Sequence, residues 1–489
     1  MNQVYLLGFP LLLSLYLYYN CETRKLRHIP TIGFSSPILS YISAIQFIFK
    51  GNKMLQEGYT RYPGQIFKFP YLNRWGVVVN GRRLTEELRK APDDTMSFEK
   101  ASEDNLKIRY TMGDQIADDT YHTPIVRTKL TRNIGNLFNE INDEILHSFD
   151  VILPSNEWTR YPTMDTIVKI VCRTVNRVFV GLPLCRNQEL LDLEANFTLE
   201  VVFSAQLMNL APSFLIPLIG RIRSPAHSIR RATGYLSSLI NERRTQAQSN
   251  DKAPLFLDWL IEEATEEEQA DDRLATRILI MNFASVHTTS SIFVHTLYNL
   301  ASRTNEYLEP LRAEVQEITS QEGWNINSLS KMRKIDSFIK ETLRFNGLGD
   351  LIDRKVLKDY TFYNGITVPK GTMISTSTDT IHNDENNYKN AREFIGFRYV
   401  DKAVLEGDVT RRRYDIVATS EDFLTFGMGR HACPGRFFAA AVMKLLLAHL
   451  VINYDIKLEH EGNPPKNIHI ATTRMLPPKA GIMLKKRGL

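Results

Sequence analysis

The densest chemistry in the chain lies in Phe426-Gly427-Met428-Gly429-Arg430-His431-Ala432-Cys433-Pro434-Gly435-Arg436. A glycine-bearing loop there delivers a cysteine to the start of a helix. Pro434 suits the first helical position, whose N–H has no intrahelical partner. Cys433 then falls near the N-cap, among free backbone N–H groups and at the positive end of the helix dipole. That setting favours a thiolate, the form of sulfur that binds metals or attacks electrophiles. Gly427, Gly429 and Gly435 let backbone approach a large flat ligand without side-chain collision. A lone cysteine by itself is more often a small buried hydrophobe; the glycines and the proline around this one argue for ligation.

Four further places hold suggestive side chains. Glu341 and Arg344, in Glu341-Thr342-Leu343-Arg344, stand three apart on one helical face, close enough to pair. On a surface such a pair contributes little. Arg354, in Asp353-Arg354-Lys355-Val356, and Arg127, in Tyr121-His122-Thr123-Pro124-Ile125-Val126-Arg127, carry the forked donors that suit carboxylates. His122 is a weaker candidate for the same task. Ala284-Ser285-Val286-His287-Thr288-Thr289 is a polar patch in an otherwise apolar helical run. Hydroxyls in such a patch commonly bond back to the preceding turn, whereas His287, with an ordinary pKa near neutrality, is able to carry protons.

The elements that must position these residues are mostly helical. Residues 65–69 and 75–80 are β-type runs around a turn at 71–74, a hairpin. From about 120 to 344 the pattern is helical, broken by loops near Pro183, Pro212, Pro217 and Pro254. The spacing predicts a long helix from Asp271 to about Arg303 and another from about Ser330 to Phe345. Residues 360–372 read as turns and short strands, and a last helix follows Pro434. The fold class is therefore mainly α with small β-sheets.

Taken in order, these segments resemble the cytochrome P450 family. Its haem-ligand loop reads Phe-x-x-Gly-x-Arg-x-Cys-x-Gly; Phe426, Gly429, Cys433 and Gly435 match, and His431 stands in the arginine's place. The resemblance implies the P450 fold and haem b as cofactor, with Cys433 as axial thiolate and Phe426 and Gly429 in the cofactor loop. It implies propionate contacts from Arg354, Arg127 and His431, the last as a neutral donor or a protonated cation. The tryptophan of the family's Trp-x-x-x-Arg is absent here. It further implies that Glu341 and Arg344 are buried and joined by Arg398, in Gly396-Phe397-Arg398-Tyr399, as scaffolding for the cysteine loop, since a buried charge must be paired. Residues 284–289 would cross the distal haem face. Thr288 and His287 are the catalytic candidates, with Ser285 in the glycine's place and His287 in the acid's.

Thiolate donation favours O–O cleavage, so the implied reaction places one atom of O2 on a substrate C–H group, with electrons from NADPH through a P450 reductase. The Ala-Ser-Val-His-Thr-Thr-Ser helix and the Arg-His-Ala-Cys-Pro-Gly-Arg loop are similar to fungal members related to ent-kaurene oxidase. That likeness implies an apolar terpenoid or meroterpenoid substrate in secondary metabolism. Pocket walls are expected from 96–116, 197–222, 284–288 and 348–352, with Met208, Leu210, Phe214 and Ile216 as apolar contacts and Asp350 as a polar one. Arg430, Arg436 and Lys444 form a candidate docking face for an acidic reductase. Two other readings stay open: a reductase-independent haem-thiolate isomerase or dehydratase, which has no need of proton delivery, and a non-catalytic haem-binding protein, which would tolerate loss of Thr288.

Residues 1–21 carry no charge and are rich in leucine, and roughly 20 apolar residues span a bilayer as a helix. Arg24, Lys25 and Arg27 follow, and positive charge there keeps that side cytosolic. A cleaved signal would carry its charge before the apolar run and a small-residue site after it. The expected organisation is a membrane anchor at 1–21, a basic, proline-bearing hinge at 22–40 and a catalytic domain at 41–489, single-pass in the endoplasmic reticulum membrane and facing the cytosol. Across 489 residues, 43% hydrophobic and 24% charged residues without repeats describe a globular chain. A net charge of +5 without a basic stripe or arm argues against nucleic-acid binding. The cysteines, Cys21, Cys172, Cys185 and Cys433, are too scattered for a disulfide framework and form no CxxC for zinc. No obligate oligomer is expected.

Overall fold

The computed structural model describes residues 24–246, 254–407, 412–460 and 462–488; the expected anchor at 1–21 lies outside them. The hairpin forms as β1 (Ile66–Pro70) and β2 (Trp75–Val79), antiparallel, with Ile66 opposite Val79. Every residue of both strands is buried, as a continuous apolar run requires when both sheet faces are covered. On one face α1 (Ser40–Arg61) packs Phe47 and Leu55 against Phe67 and Phe69. On the other, α2 (Arg82–Lys90) sets Leu84 and Leu88 beside Val77 and Val79.

Part of the segment expected as a hinge is built into this sheet. Leu26, Ile29 and Ile32 are each 1% exposed. Lys68 N–H donates to the Pro30 carbonyl at 2.8 Å and Ile32 N–H to the Lys68 carbonyl at 2.9 Å. The Lys68 ammonium donates to the Leu26 and Ile29 carbonyls and lies over the Trp75 ring. Burial pulls its pKa down to about 8. Three later strands complete the sheet: β3 (Met96–Ser97), β4 (Leu351–Val356) and β5 (Met373–Ser377), in the order β1-β2-β5-β4-β3 with only β2 and β5 parallel.

The larger part is helical: α3 (Phe138–Ile152), α4 (Thr163–Phe179), α5 (Gln188–Leu210), α6 (Ala226–Gln246), α7 (Asp271–Ala301), α8 (Arg333–Asn346) and α9 (Arg436–Asn453). The 31 residues of α7 make a rod about 46 Å long at 1.5 Å per residue. Asp271 and Asp272 place negative charge at its positive end, and it packs against α4, α5, α6 and α8. Among the described residues α9 is the one helix long and apolar enough to cross a bilayer. Leu445, Leu446, Leu447 and Leu450 are each fully buried, so it is a core helix of the fold.

Two predicted boundaries shift. The last helix starts at Arg436 with Gly435 as N-cap, two residues beyond the expected start at Pro434. Ser330 belongs to a short helix capped by Asn325, and α8 begins only after Met332 leaves helical geometry.

Candidate active site

Beyond its first turn, α7 is buried except at a few positions, and only Ala284 and Thr288, four apart on one face, are exposed. Both border a cavity of about 290 Å³ that is also lined by Cys433, Phe426 and Gly435. The remaining walls are largely apolar, with Val126, Ile292 and Phe438 among them. The Thr288 hydroxyl donates to the Ala284 carbonyl at 2.8 Å and the Ser285 hydroxyl to the Met281 carbonyl at 2.6 Å. Both hydroxyls thus turn back on the helix, as polar groups in an apolar helix do.

The cysteine loop closes through the Cys433 N–H, which donates to the Phe426 carbonyl at 2.7 Å. Gly427 (φ 77°) and Gly429 (φ 62°) adopt the left-handed backbone that side chains resist. A Cβ on Gly429 would lie 3.0 Å from Arg89 of α2, so this glycine serves the loop's seat on that helix. Gly435 is the glycine that borders the chamber. Cys433 is exposed only toward the cavity, whereas Cys172 and Cys185 are buried. Enclosure pushes the Cys433 thiol pKa up, while the N–H groups of Gly435 and Arg436 and the Arg436 guanidinium oppose that rise. Enclosure thus works against the thiolate and the donors at the helix start work for it.

Arg354 is 3% exposed, donates among the described residues only to the carbonyl of its neighbour Asp353, and sits over the Phe98 ring. Burial pulls its pKa down to about 10. A buried cation without a carboxylate is costly unless an anion meets it. The His431 ring also lies against Phe98, centroids 5.6 Å apart, and its Nε2 donates to Asp93 at 2.5 Å. Arg127 is exposed and donates to the Arg430 carbonyl at 3.2 Å. An apolar slot with a sulfur on its wall, and beside the same loop a buried arginine that no carboxylate among the described residues hydrogen-bonds, fits a flat prosthetic group bearing carboxylates.

The expected triad assembles. Arg344 meets Glu341 through two bonds of 2.7 and 2.8 Å, and Arg398 Nε reaches both carboxylate oxygens at 3.1 Å. Arg344 also donates to the carbonyls of His382 and Ala391, each at 2.7 Å. His382 Nε2 accepts the Leu424 N–H at 3.0 Å, and the Thr425 hydroxyl donates to the Leu343 carbonyl at 3.1 Å. The ion cluster is thereby tied to the start of the cysteine loop. Nothing in its sequence surroundings singles out His382.

The sequence profile of the family Cytochrome P450 matches residues 34–484. The chain belongs to the cytochrome P450 family. Cytochrome P450 monooxygenase 151 of Postia placenta is 38% identical over 96% of both chains. Cytochrome P450 monooxygenase 71 of the same fungus is 40% identical over 92% of this chain and 91% of its own, and paxQ of Penicillium paxilli is 30% identical over 95% and 93%. Among solved structures, the retinoic acid-bound cyanobacterial CYP120A1 shares the fold with a TM-score of 0.71 at 16% identity, covering 94% of this chain and 99% of that one. This P450 is accordingly a haem enzyme of the monooxygenase class, with a cysteine thiolate as axial ligand.

Several residues singled out by sequence lie elsewhere in the P450. His287 turns away from the chamber; its Nε2 meets the Ala195 carbonyl at 3.0 Å, beside a second cavity of about 520 Å³ between α4, α5 and α7. Asp350 is 1% exposed, is bonded by Arg474 Nε at 3.1 Å and does not border the chamber. Lys444 is 7% exposed and paired with Asp336 at 2.8 Å, so it is no part of a docking surface. Arg430 is engaged by Asp93 and Arg436 by the Cys433 carbonyl at 2.9 Å. Of the expected pocket walls, Ala284, Ser285, Thr288 and Leu348 border the chamber, and nothing from 96–116 or 197–222 does. Met208 is core, while Leu210 and Phe214 face outward.

Proposed function

We propose that this P450 hydroxylates or further oxidises an apolar substrate of the terpenoid or meroterpenoid class in secondary metabolism, taking electrons from NADPH through a P450 reductase. The observation that carries the reading is the exposed Ala284–Thr288 strip sharing one apolar cavity with Cys433. The haem supplies the activation of O2 and the oxidation of the C–H bond. Cys433 holds the iron, and the Gly435 and Arg436 N–H groups steady the charge on sulfur. Arg354 would bind a propionate, His431 would reach one only through Nδ1 because its Nε2 donates to Asp93, and the loop around Phe426 and Gly429 carries the ligand. Thr288 passes protons when its hydroxyl leaves the Ala284 carbonyl. The apolar walls keep water out and hold the substrate carbon near the oxygen.

The substrate class is supported by those walls and by the likeness of the α7 and loop segments to the ent-kaurene oxidase-related group. Attachment to the endoplasmic reticulum membrane is supported by the uncharged segment 1–21 and by an outward apolar face. Leu199, Phe203 and Leu210 of α5, with Phe214, Leu218 and Ile222 beyond it, are all 57–72% exposed, and such a group of exposed apolar side chains is suited to lipid.

The full-length chain, incubated in membranes with reductase, NADPH, 18O2 and a metabolite extract from a strain lacking the gene, should yield a product carrying one 18O atom. A product formed without NADPH would favour the isomerase or dehydratase reading instead.

A further inference from the structure

Helix α7 turns two stripes to two different spaces. Ala284, Thr288 and Ile292 line the chamber of Cys433, whereas His287, Ser291 and His295, again four apart, line the second cavity of about 520 Å³. At 1.5 Å per residue the second stripe spans about 12 Å. Leu348 is the one described residue that borders both spaces.

The second cavity has a wet mouth and a dry floor. Asp165, Lys169 and Asp192 of its lining are exposed and carry both signs. His295 is the opposite case: it is 6% exposed, and no described residue hydrogen-bonds either ring nitrogen. Burial, and then the nearby Arg474 cation, pull its pKa down to about 3, so the ring is neutral near neutrality. A neutral imidazole offers one N–H and one bare nitrogen. The Ser291 hydroxyl likewise has no partner among the described residues. His287 Nε2 carries its proton to the Ala195 carbonyl, which leaves Nδ1 bare in the neutral ring. Around this stripe the walls are apolar, with Met164 and Val168 of α4, Leu191 of α5, Leu348 and Leu476.

Buried polar side chains are nearly always hydrogen-bonded, so the unmet groups point to a ligand, and what they lack gives its chemistry. A bare nitrogen only accepts. A ketone, an ether or a hydrocarbon would leave it unmet, whereas an O–H meets it and also accepts from Ser291. A carboxylate finds no free cation at the floor, because Arg474 is already held by Asp350 and Asp379. An ammonium would meet that same arginine. The apolar walls suit a hydrocarbon body, and the volume is that of a small-molecule pocket.

We propose that this cavity is a second ligand site, separate from the haem chamber, for a neutral alcohol with an apolar skeleton, its hydroxyl held by His295 and Ser291. An apolar substrate hydroxylated in the chamber becomes such a molecule, so the ligand class includes the enzyme's own product; that link rests on the proposed function, and the site itself does not.

The test uses the full-length, haem-loaded chain with 4-phenylimidazole on the iron, which fills the chamber and leaves the second cavity open. Equilibrium dialysis with tritiated farnesol, a sesquiterpene alcohol, should show saturable binding. Farnesyl methyl ether, which keeps the skeleton and loses the O–H, should bind about tenfold more weakly. His295→Leu should weaken farnesol about tenfold and Ser291→Ala about fivefold, each the loss of one hydrogen bond. His295→Gln keeps a donor and an acceptor and should stay within about twofold of wild type. Without 4-phenylimidazole, the carbon monoxide spectrum should keep its red-shifted thiolate band in every variant. Farnesol that does not bind once the iron is ligated would mean a cavity holding water only, and overturns the proposal. Farnesol bound no better than its ether, or bound by His295→Leu as by wild type, overturns it equally. If His295→Leu does not accumulate with haem, Ser291→Ala decides on the same terms. Absence of 18O in the product would defeat the proposed function and leave farnesol binding unchanged, so the two failures are told apart.

Discussion

Thr288 and Cys433 border the same chamber, yet their substitution should fail in different ways. Thr288→Val keeps the size of the side chain and removes the hydroxyl. The haem and its thiolate band should survive, and NADPH should still be consumed, while product per NADPH falls by about a hundredfold, the scale of one proton-transferring group. Product and peroxide yields measured together check this, and unchanged coupling would remove Thr288 from the proton path. His287→Ala should change coupling far less, because that ring faces Ala195 and not the chamber. Sequence carried these residues well where the signal was local. The Cys433 loop and the Glu341–Arg344 spacing are short patterns whose members are near neighbours. It misplaced Lys444, which reads as a surface lysine; its burial depends on Asp336, far away in the chain. The setting of Arg277 was hidden for the same reason, since its partners come from two separate segments, Glu268 from one and Asp119 and His122 from the other.

At the scale of elements, α8 is joined to the cysteine loop by charge. Glu341 is fully buried between Arg344 and Arg398 and also accepts the Ile395 N–H at 3.0 Å. Glu341→Gln removes the one carboxylate both arginines share, and stranding buried cations costs about 3–5 kcal/mol. Denaturant unfolding should show a loss of that order together with poor haem retention; a variant as stable as wild type would mean the cluster is not structural. The elements most legible in sequence were those with strong periodicity: the β1–β2 hairpin, α7 and α8. The start of α9 was missed by two residues because Pro434 looks like a first helical residue, whereas the chain first turns through Gly435. The three-stranded sheet of Thr159–Pro162, Gly481–Lys486 and Tyr454–Leu458 had no readable signal, since its short strands gain order from one another.

Across the whole molecule, buried histidines couple stability to pH. His449 is 2% exposed, stacks on Trp324 and donates from Nε2 to Asn142 Oδ1 at 2.6 Å. Burial lowers its pKa to about 4. Below its ordinary value of about 6.5 the unfolded chain takes up a proton that the native state refuses. Its contribution is therefore fully present above about pH 6.5 and is lost by about 1.4 kcal/mol per pH unit as pH falls toward 4. His449→Gln keeps an N–H for Asn142 and removes the titration. Unfolding measured at pH 7, 6 and 5 should show the variant gaining on wild type below pH 6.5 by that increment; parallel curves would mean His449 is protonated in the native state. At this scale sequence foresaw a mainly helical chain with small sheets. It assigned Leu26, Ile29 and Ile32 to a hinge because prolines follow them, and did not see that β1 offers these residues an apolar surface.

The bond between Cys433 sulfur and haem iron is the point on which the enzyme's chemistry turns. The carbon monoxide adduct of the reduced, full-length protein tests it directly, measured for wild type beside Cys433→His. Wild type should give the red-shifted Soret band of a thiolate-ligated haem, and the variant should give only the band of a nitrogen-ligated one. A wild type without the red-shifted band, or a variant that keeps it, would contradict the assignment of Cys433 as the ligand.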